Sequence, residues 1–290
     1  VQADEADPGW QPRFPIDPAT PIATAGTGFA QQVGGALRRR GFAALDVEPP
    51  PPGLAGDAAR RFGYLLFSAR YGAIATPRQL AQLANEAQAG EPLAGCVARS
   101  GDRFIDAFRP AVEPGGLPSP GHVVMHRRQH LARVRSLLSR AGLLIFTLGR
   151  PEAWIGRTTR QVFPQAPAAP GPDAEDIVFR TFPPEAVVRQ LAGLRGALKQ
   201  HNPAMRMLLT VDEADPALHE AVRGFAAAQP DTDYMPGTDR TGMARIFFAA
   251  AGEASGAQAP PPRRPPGKRR TGPGRDDIVC EEILLDAFSK

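Results

Sequence analysis

Apolar and polar positions along this chain follow two rhythms that take turns. Pro21-Ile22-Ala23-Thr24-Ala25 is a short apolar run closed by Gly26-Thr27-Gly28. Phe29 to Arg40 follows, with Phe29, Val33, Ala36 and Leu37 on one helical face. Arg38 to Arg40 stand where cations favour a helix C-terminus, and Gly41 is a suitable stop. The alternation then recurs. Thr76-Pro77 opens a helix through Leu80, Leu83 and Ala87, and His126 to Arg140 carries Leu131, Val134, Leu137 and Leu138 at helical spacing. Leu143 to Leu148 reads as a buried strand, Glu185 to Lys199 as a helix and Met205 to Val211 as another buried strand. Helices over Leu218 to Ala228 and Thr241 to Ala251 complete the pattern.

Continuous apolar strands separated by amphipathic helices predict an α/β fold: a three-layer parallel sheet with helices on both faces. Right-handed crossovers put the strand C-terminal ends on one edge, where such sheets hold their functional crevice. The turns Gly26-Thr27-Gly28, Thr147 to Glu152 and Thr210 to Pro216 all fall on that edge.

The expected organisation is an extended segment over 1–20, one α/β domain over 21–252, a Pro/Arg-rich disordered segment over 253–277 and a short element over 278–290 that docks back. With 290 residues, 42% of them hydrophobic, the chain has apolar material for one large core. No stretch approaches the ~20 consecutive apolar residues of a membrane span. Val1 to Asp17 is polar and acidic, unlike a secretion signal. Cys96 and Cys280 lack metal-ligand spacing and predict no disulfide framework, which points to a reducing, cytoplasmic compartment. The formal charge of +4 is local: without Arg263, Arg264, Lys268, Arg269, Arg270 and Arg275 the remainder carries −2. That tail suits an anionic surface, but it lacks the interleaved aromatics of a single-strand binder. No specific nucleic-acid motif is present, and no cofactor is implied.

Several segments together resemble the bacterial GSCFA family, a branch of the SGNH/GDSL hydrolase-like, flavodoxin-like fold. They are Gly26-Thr27-Gly28-Phe29-Ala30-Gln31, Phe67-Ser68-Ala69-Arg70-Tyr71-Gly72, Phe108-Arg109-Pro110 with Glu113-Pro114-Gly115-Gly116, and Phe146-Thr147-Leu148-Gly149 with Glu152-Ala153-Trp154. Asp233-Tyr234-Met235-Pro236 and Cys280 to Phe288 extend the likeness. The resemblance implies a first-turn hydroxyl nucleophile, Gly and Asn oxyanion donors, a late His base, and ester hydrolysis or acyl transfer. The chain departs from this pattern at each point. Thr27 stands at the nucleophile position, and its β-methyl restricts the rotamer. The family's Gly-Asn is Gly72-Ala73, and Gly-Leu-Thr-Glu is Gly149-Arg150-Pro151-Glu152, where Pro151 has no N–H. Ser-Pro-Val-Pro is Asp212-Glu213-Ala214-Asp215, and Gly237 to Arg240 leads into the last helix without a histidine.

The candidate crevice therefore comprises Thr27 with Gly26, Gly28, Gly72, Ala73, Gly149 and Glu152, rimmed by Asp212, Glu213 and Asp215. A hydroxyl without a proton acceptor is a poor nucleophile, so the first expectation is a catalytically degenerate protein that binds a ligand or partner. An active esterase or acyltransferase on acylated saccharides, using Thr27, is the alternative, and a structural subunit anchored by the basic tail is another. The acidic rim is expected to be solvated rather than to hold Mg²⁺ or act as acid and base. His126 and His130, at i and i+4, are read as a solvated helix face rather than a metal site. His201 and His219 are read as surface residues, with His219 placed where folding could bring it near the crevice.

Overall fold

The computed structural model describes residues 10–166, 177–238, 242, 245 and 246. At its centre a four-stranded parallel sheet runs in the order β1 (Ile22–Gly26), β4 (Leu143–Leu148), β8 (Arg206–Val211), β9 (Thr232–Tyr234). The expected α/β architecture is the one observed. Successive side chains of a strand point to opposite faces, and the two faces take different partners. Ile22, Leu143, Ile145 and Leu208 pack with Phe29, Val33 and Leu37 of α1 (Gly28–Arg39), and with Phe14 and Ile16 from the lead-in. Ala23, Ala25, Leu144, Phe146, Leu148, Met207 and Leu209 face the other way. They meet α3 (Pro77–Ala89), α4 (Pro120–Arg140), α5 (Pro184–His201) and α6 (Pro216–Ala227).

The helices begin where short side chains satisfy their free amides. Thr76 and Gln79 form a reciprocal capping box at α3, with Pro77 in its first turn. Ser119 accepts from the His122 amide, so α4 starts at Pro120, six residues before the His126 expected from apolar spacing. Asp215 caps α6 by accepting from Ala217.

Three parts were not anticipated. A short helix, α2 (Gly56–Arg61), follows a proline-rich stretch. An antiparallel hairpin pairs β2 (Val97–Ser100) with β3 (Arg103–Asp106). A small antiparallel sheet joins β6 (Val162–Phe163), β5 (Glu152–Gly156) and β7 (Ile177–Thr181). These strands are short and, β6 apart, partly exposed, so they lack the continuous apolar run that marks a parallel strand. Of the expected helix over Thr241 to Ala251, only Gly242, Arg245 and Ile246 are described, with Ile246 buried in the α1 face. The expected segments over 253–277 and 278–290, with their basic residues and Cys280, lie outside the described residues, and Cys96 is a buried free thiol. Among the described residues no helix is long and apolar enough to cross a membrane.

Candidate functional site

The crevice begins where β1 ends. Gly26 pairs with Thr147 of β4 at φ +133°, and a Cβ there would lie 2.3 Å from the Thr147 carbonyl oxygen, so only glycine fits. Thr27 is the N-cap of α1 with extended backbone, yet its side chain makes no capping bond. Its Oγ1 instead donates to Asp212 Oδ2 at 2.8 Å. Asp212 follows β8, and its amide donates to the Leu148 carbonyl. Since β4 lies between β1 and β8, the two side chains meet across the end of β4. Gly149 makes this meeting possible: a Cβ there would stand 2.5 Å from the Thr27 methyl. The second oxygen of Asp212 accepts from Thr238 Oγ1 at 3.1 Å, so the carboxylate is held between two hydroxyls.

The remaining expected residues divide. The Gly26 carbonyl accepts from the Ile74 amide, and the Gly149 amide donates to the Ala75 carbonyl. The 73–75 loop is thereby tied to both sides of the crevice, and the Gly149 N–H is already committed. Gly28 and Phe29 open α1, where a helix leaves its amides without intrahelical acceptors. Gly72 turns at φ +72° beside Arg109, and Ala73 is exposed. Glu152 starts β5 and stands 3.9 Å from Arg150, which also reaches Glu213 at 3.5 Å. The rim is solvent-exposed at Asp212 and half-exposed at Glu213 and Asp215, and each carboxylate has a partner: Glu213 pairs with Arg150, Asp215 caps α6, and Asp212 engages Thr27.

The histidines correct the sequence reading more sharply. His219 is half-buried, with Nδ1 2.5 Å from the Tyr234 hydroxyl and Nε2 2.7 Å from the Glu213 carbonyl. A carbonyl only accepts, so Nε2 carries the proton and Nδ1 accepts from Tyr234. His201 Nε2 is likewise bonded, to the Ala84 carbonyl. The face expected to be solvated is not: His126 is half-buried and His130 is 1% exposed. His130 Nδ1 bonds to Glu48 at 2.8 Å, which fixes the Nδ1–H tautomer against an ionised carboxylate. Burial, and then the charge of Arg109, hold His130 down to about 4. Burial raises Glu48, but the bond from His130, the cations around it and the Arg70 amide outweigh this and bring it to about 2. His130 Nε2 has no protein partner and lines a cavity of about 20 Å³, the size of one water. Among the described residues no three His, Cys, Asp or Glu side chains converge as a metal site.

His130 belongs to a charge network beneath the 71–76 loop, which sequence reasoning missed. Arg127 donates to Glu86 at 2.5 and 2.6 Å and to Asp106 at 3.0 and 3.2 Å. Arg109 donates to Asp106 and to the Arg70 carbonyl, and Arg70 in turn binds Glu113 and the Phe62 carbonyl. Tyr71 donates to the Thr24 carbonyl of β1, and Ser68 Oγ accepts from the Thr24 amide. Burial raises Asp106, but Arg127 and Arg109 together hold it below the usual carboxylate range. A signal was available: Arg127 continues the apolar stripe of Val123, Leu131 and Val134, and Glu86 lies among Leu83, Ala84 and Ala87. A charge on a buried stripe needs partners on other elements.

A family model described as GSCFA family matches residues 21–213. The chain belongs to the GSCFA family. The matched range contains both Thr27 and Asp212, and every network residue from Glu48 to Arg127. It stops short of Asp233–Pro236 and of the last residues, where the sequence likeness had been extended. No curated protein and no solved structure matches the chain. The segments Phe67–Gly72 and Phe108–Pro110 supply Arg70, Tyr71 and Arg109 to the buried network.

Proposed function

We propose that the crevice is an acyl-ester site in which Thr27 is the nucleophile and Asp212 its proton acceptor. The observation that carries this is the 2.8 Å bond from Thr27 Oγ1 to Asp212 Oδ2. In the reaction Thr27 Oγ1 bonds to the ester carbonyl carbon and its proton passes to Asp212. The alcohol leaves with that proton, and water releases the acyl group by the same carboxylate. The free amides opening α1 stand beside the hydroxyl and suit a developing oxyanion. Ester hydrolysis or acyl transfer is also the reaction class that the resemblance to SGNH/GDSL hydrolase-like proteins implies. A carboxylate accepts a proton less readily than an imidazole, and the Thr27 methyl crowds the approach, so turnover is slow.

Hydrolysis of p-nitrophenyl acetate tests this. Thr27→Ala abolishes the enzyme-dependent rate, and Asp212→Asn lowers it by about 10²–10⁴. Thr27→Ser, freed of the methyl, retains or exceeds the parent rate. Equal turnover by the parent and Thr27→Ala sinks the proposal.

A second reading, binding without turnover, is favoured by a different observation. His219 is bonded on both nitrogens, the Gly149 amide is committed to Ala75, and Pro151 offers no N–H. Under it, parent and Thr27→Ala share the background rate, while a ligand found by thermal-shift screening protects the parent and loses affinity in Asp212→Ala. The third reading, a subunit anchored through Arg263 to Arg275, rests on residues outside those described.

A further inference from the structure

A second concave region shares no lining residue with the crevice. It is a cavity of about 350 Å³ bounded by Arg78, Ile155, Arg157, Arg160, Val178, Arg180, Thr181 and Phe182. The size falls in the range of small-molecule sites. Among the described residues its lining includes four arginines and no carboxylate. Arg78, Arg160 and Arg180 make no ion pair among the described residues. The carboxylates of the adjoining groove, Glu86 and Glu91, are taken by Arg127 and Arg128.

The fold brings these charges together on purpose-built elements. Arg78 lies in the first turn of α3 and donates to the Arg160 carbonyl at 3.0 Å. Arg160 closes the turn between β5 and β6 at φ +60°, a conformation in which a non-glycine residue is uncommon. Arg180 comes from β7, whose partner β5 supplies Ile155 to the wall. Burial, and then the charge of Arg160, hold Arg78 below the ordinary arginine value. Like charges gathered in a concavity, as Arg78, Arg160 and Arg180 are here, raise the affinity for an anion.

We propose that this cavity binds a small organic molecule carrying a phosphate-type dianion. Arg78, Arg160 and Arg180 hold the phosphate, and Ile155, Val178 and Phe182 cover the organic part. Three guanidiniums outnumber the two oxygens of a carboxylate, whereas a phosphate offers three oxygens and two charges to share among them. The apolar wall distinguishes an organic ester from inorganic phosphate. The proposal does not depend on Thr27 reacting.

Calorimetric titration of the full chain with phenyl phosphate, inorganic phosphate and benzoate tests it. The expected result is saturable, one-to-one binding of phenyl phosphate, at least tenfold tighter than either other probe. Arg180→Gln and Arg160→Asn each weaken it at least tenfold while leaving the unliganded melting temperature unchanged, since Asn accepts the left-handed backbone at 160. Binding that survives both substitutions, or a polyanionic oligonucleotide that phenyl phosphate cannot displace, overturns the proposal.

Discussion

The crevice and the buried network beneath it use the same chemistry, a carboxylate bonded to a polar partner, under opposite conditions. At the crevice Asp212 is exposed to solvent and holds two hydroxyls. In the interior Glu86 and Arg127 are sealed from water, with side chains 0% and 2% exposed, and Asp106 binds two arginines at once. An interior charge survives only when nearly every one of its hydrogen-bonding positions is filled, because its desolvation exceeds what one partner returns. An exposed carboxylate can keep spare capacity, which is what chemistry on a substrate needs. In the interior Arg70, Tyr71 and Arg109 are likewise engaged, holding the 71–76 loop against β1.

The comparison breaks most violently at Arg127. Arg127→Met leaves Glu86 and Asp106 buried without their cation and lowers unfolding stability by about 3–5 kcal/mol in urea denaturation. A loss below about 1 kcal/mol would show that the network is not sealed as described. Next in size is Gly149→Ala, whose new methyl meets that of Thr27; it lowers stability by about 1–3 kcal/mol. Thr27→Ser in the same chain recovers part of that loss, and a strictly additive double variant would deny the contact.

Acid sharpens the difference further. Unfolded histidine titrates near 6.5, whereas His130 in the fold is held down to about 4, so the unfolded chain binds the extra proton between those values. Stability is full above pH 6.5 and falls as pH drops toward 4. Glu48, lowered from 4.5 to about 2, adds a further loss below pH 4.5. His130→Gln, measured by melting temperature against pH, flattens the slope between 6.5 and 4; an unchanged slope would place the titration elsewhere. The smallest effect is at the crevice itself, where Asp212→Asn changes stability by no more than about 0.5 kcal/mol.

The crevice was half legible. Thr27, Gly26, Gly149 and Asp212 were each marked by lying at strand ends on one edge, which follows from a parallel sheet with right-handed crossovers. That Thr27 and Asp212 touch was not legible, because they are separated by 185 positions and joined across a third strand. The arginine-lined cavity was invisible for a related reason: short antiparallel strands carry no strong periodic signal, and β5 and β7 contribute to it only once paired.

The chain's own order of apolar strands and amphipathic helices determined the parallel sheet, the helix start at Thr76, and the family. These are local: they depend on periodicity, capping and turn residues that lie within a few positions of one another. Tertiary structure alone decided which charges are sealed and which remain open. Arg127 and Arg180 are the same residue type, and only the elements packed around each one make the first a buried strut and the second a ligand for an anion. Burial is a property of the assembled layers, and the free energy of a charge follows burial rather than composition.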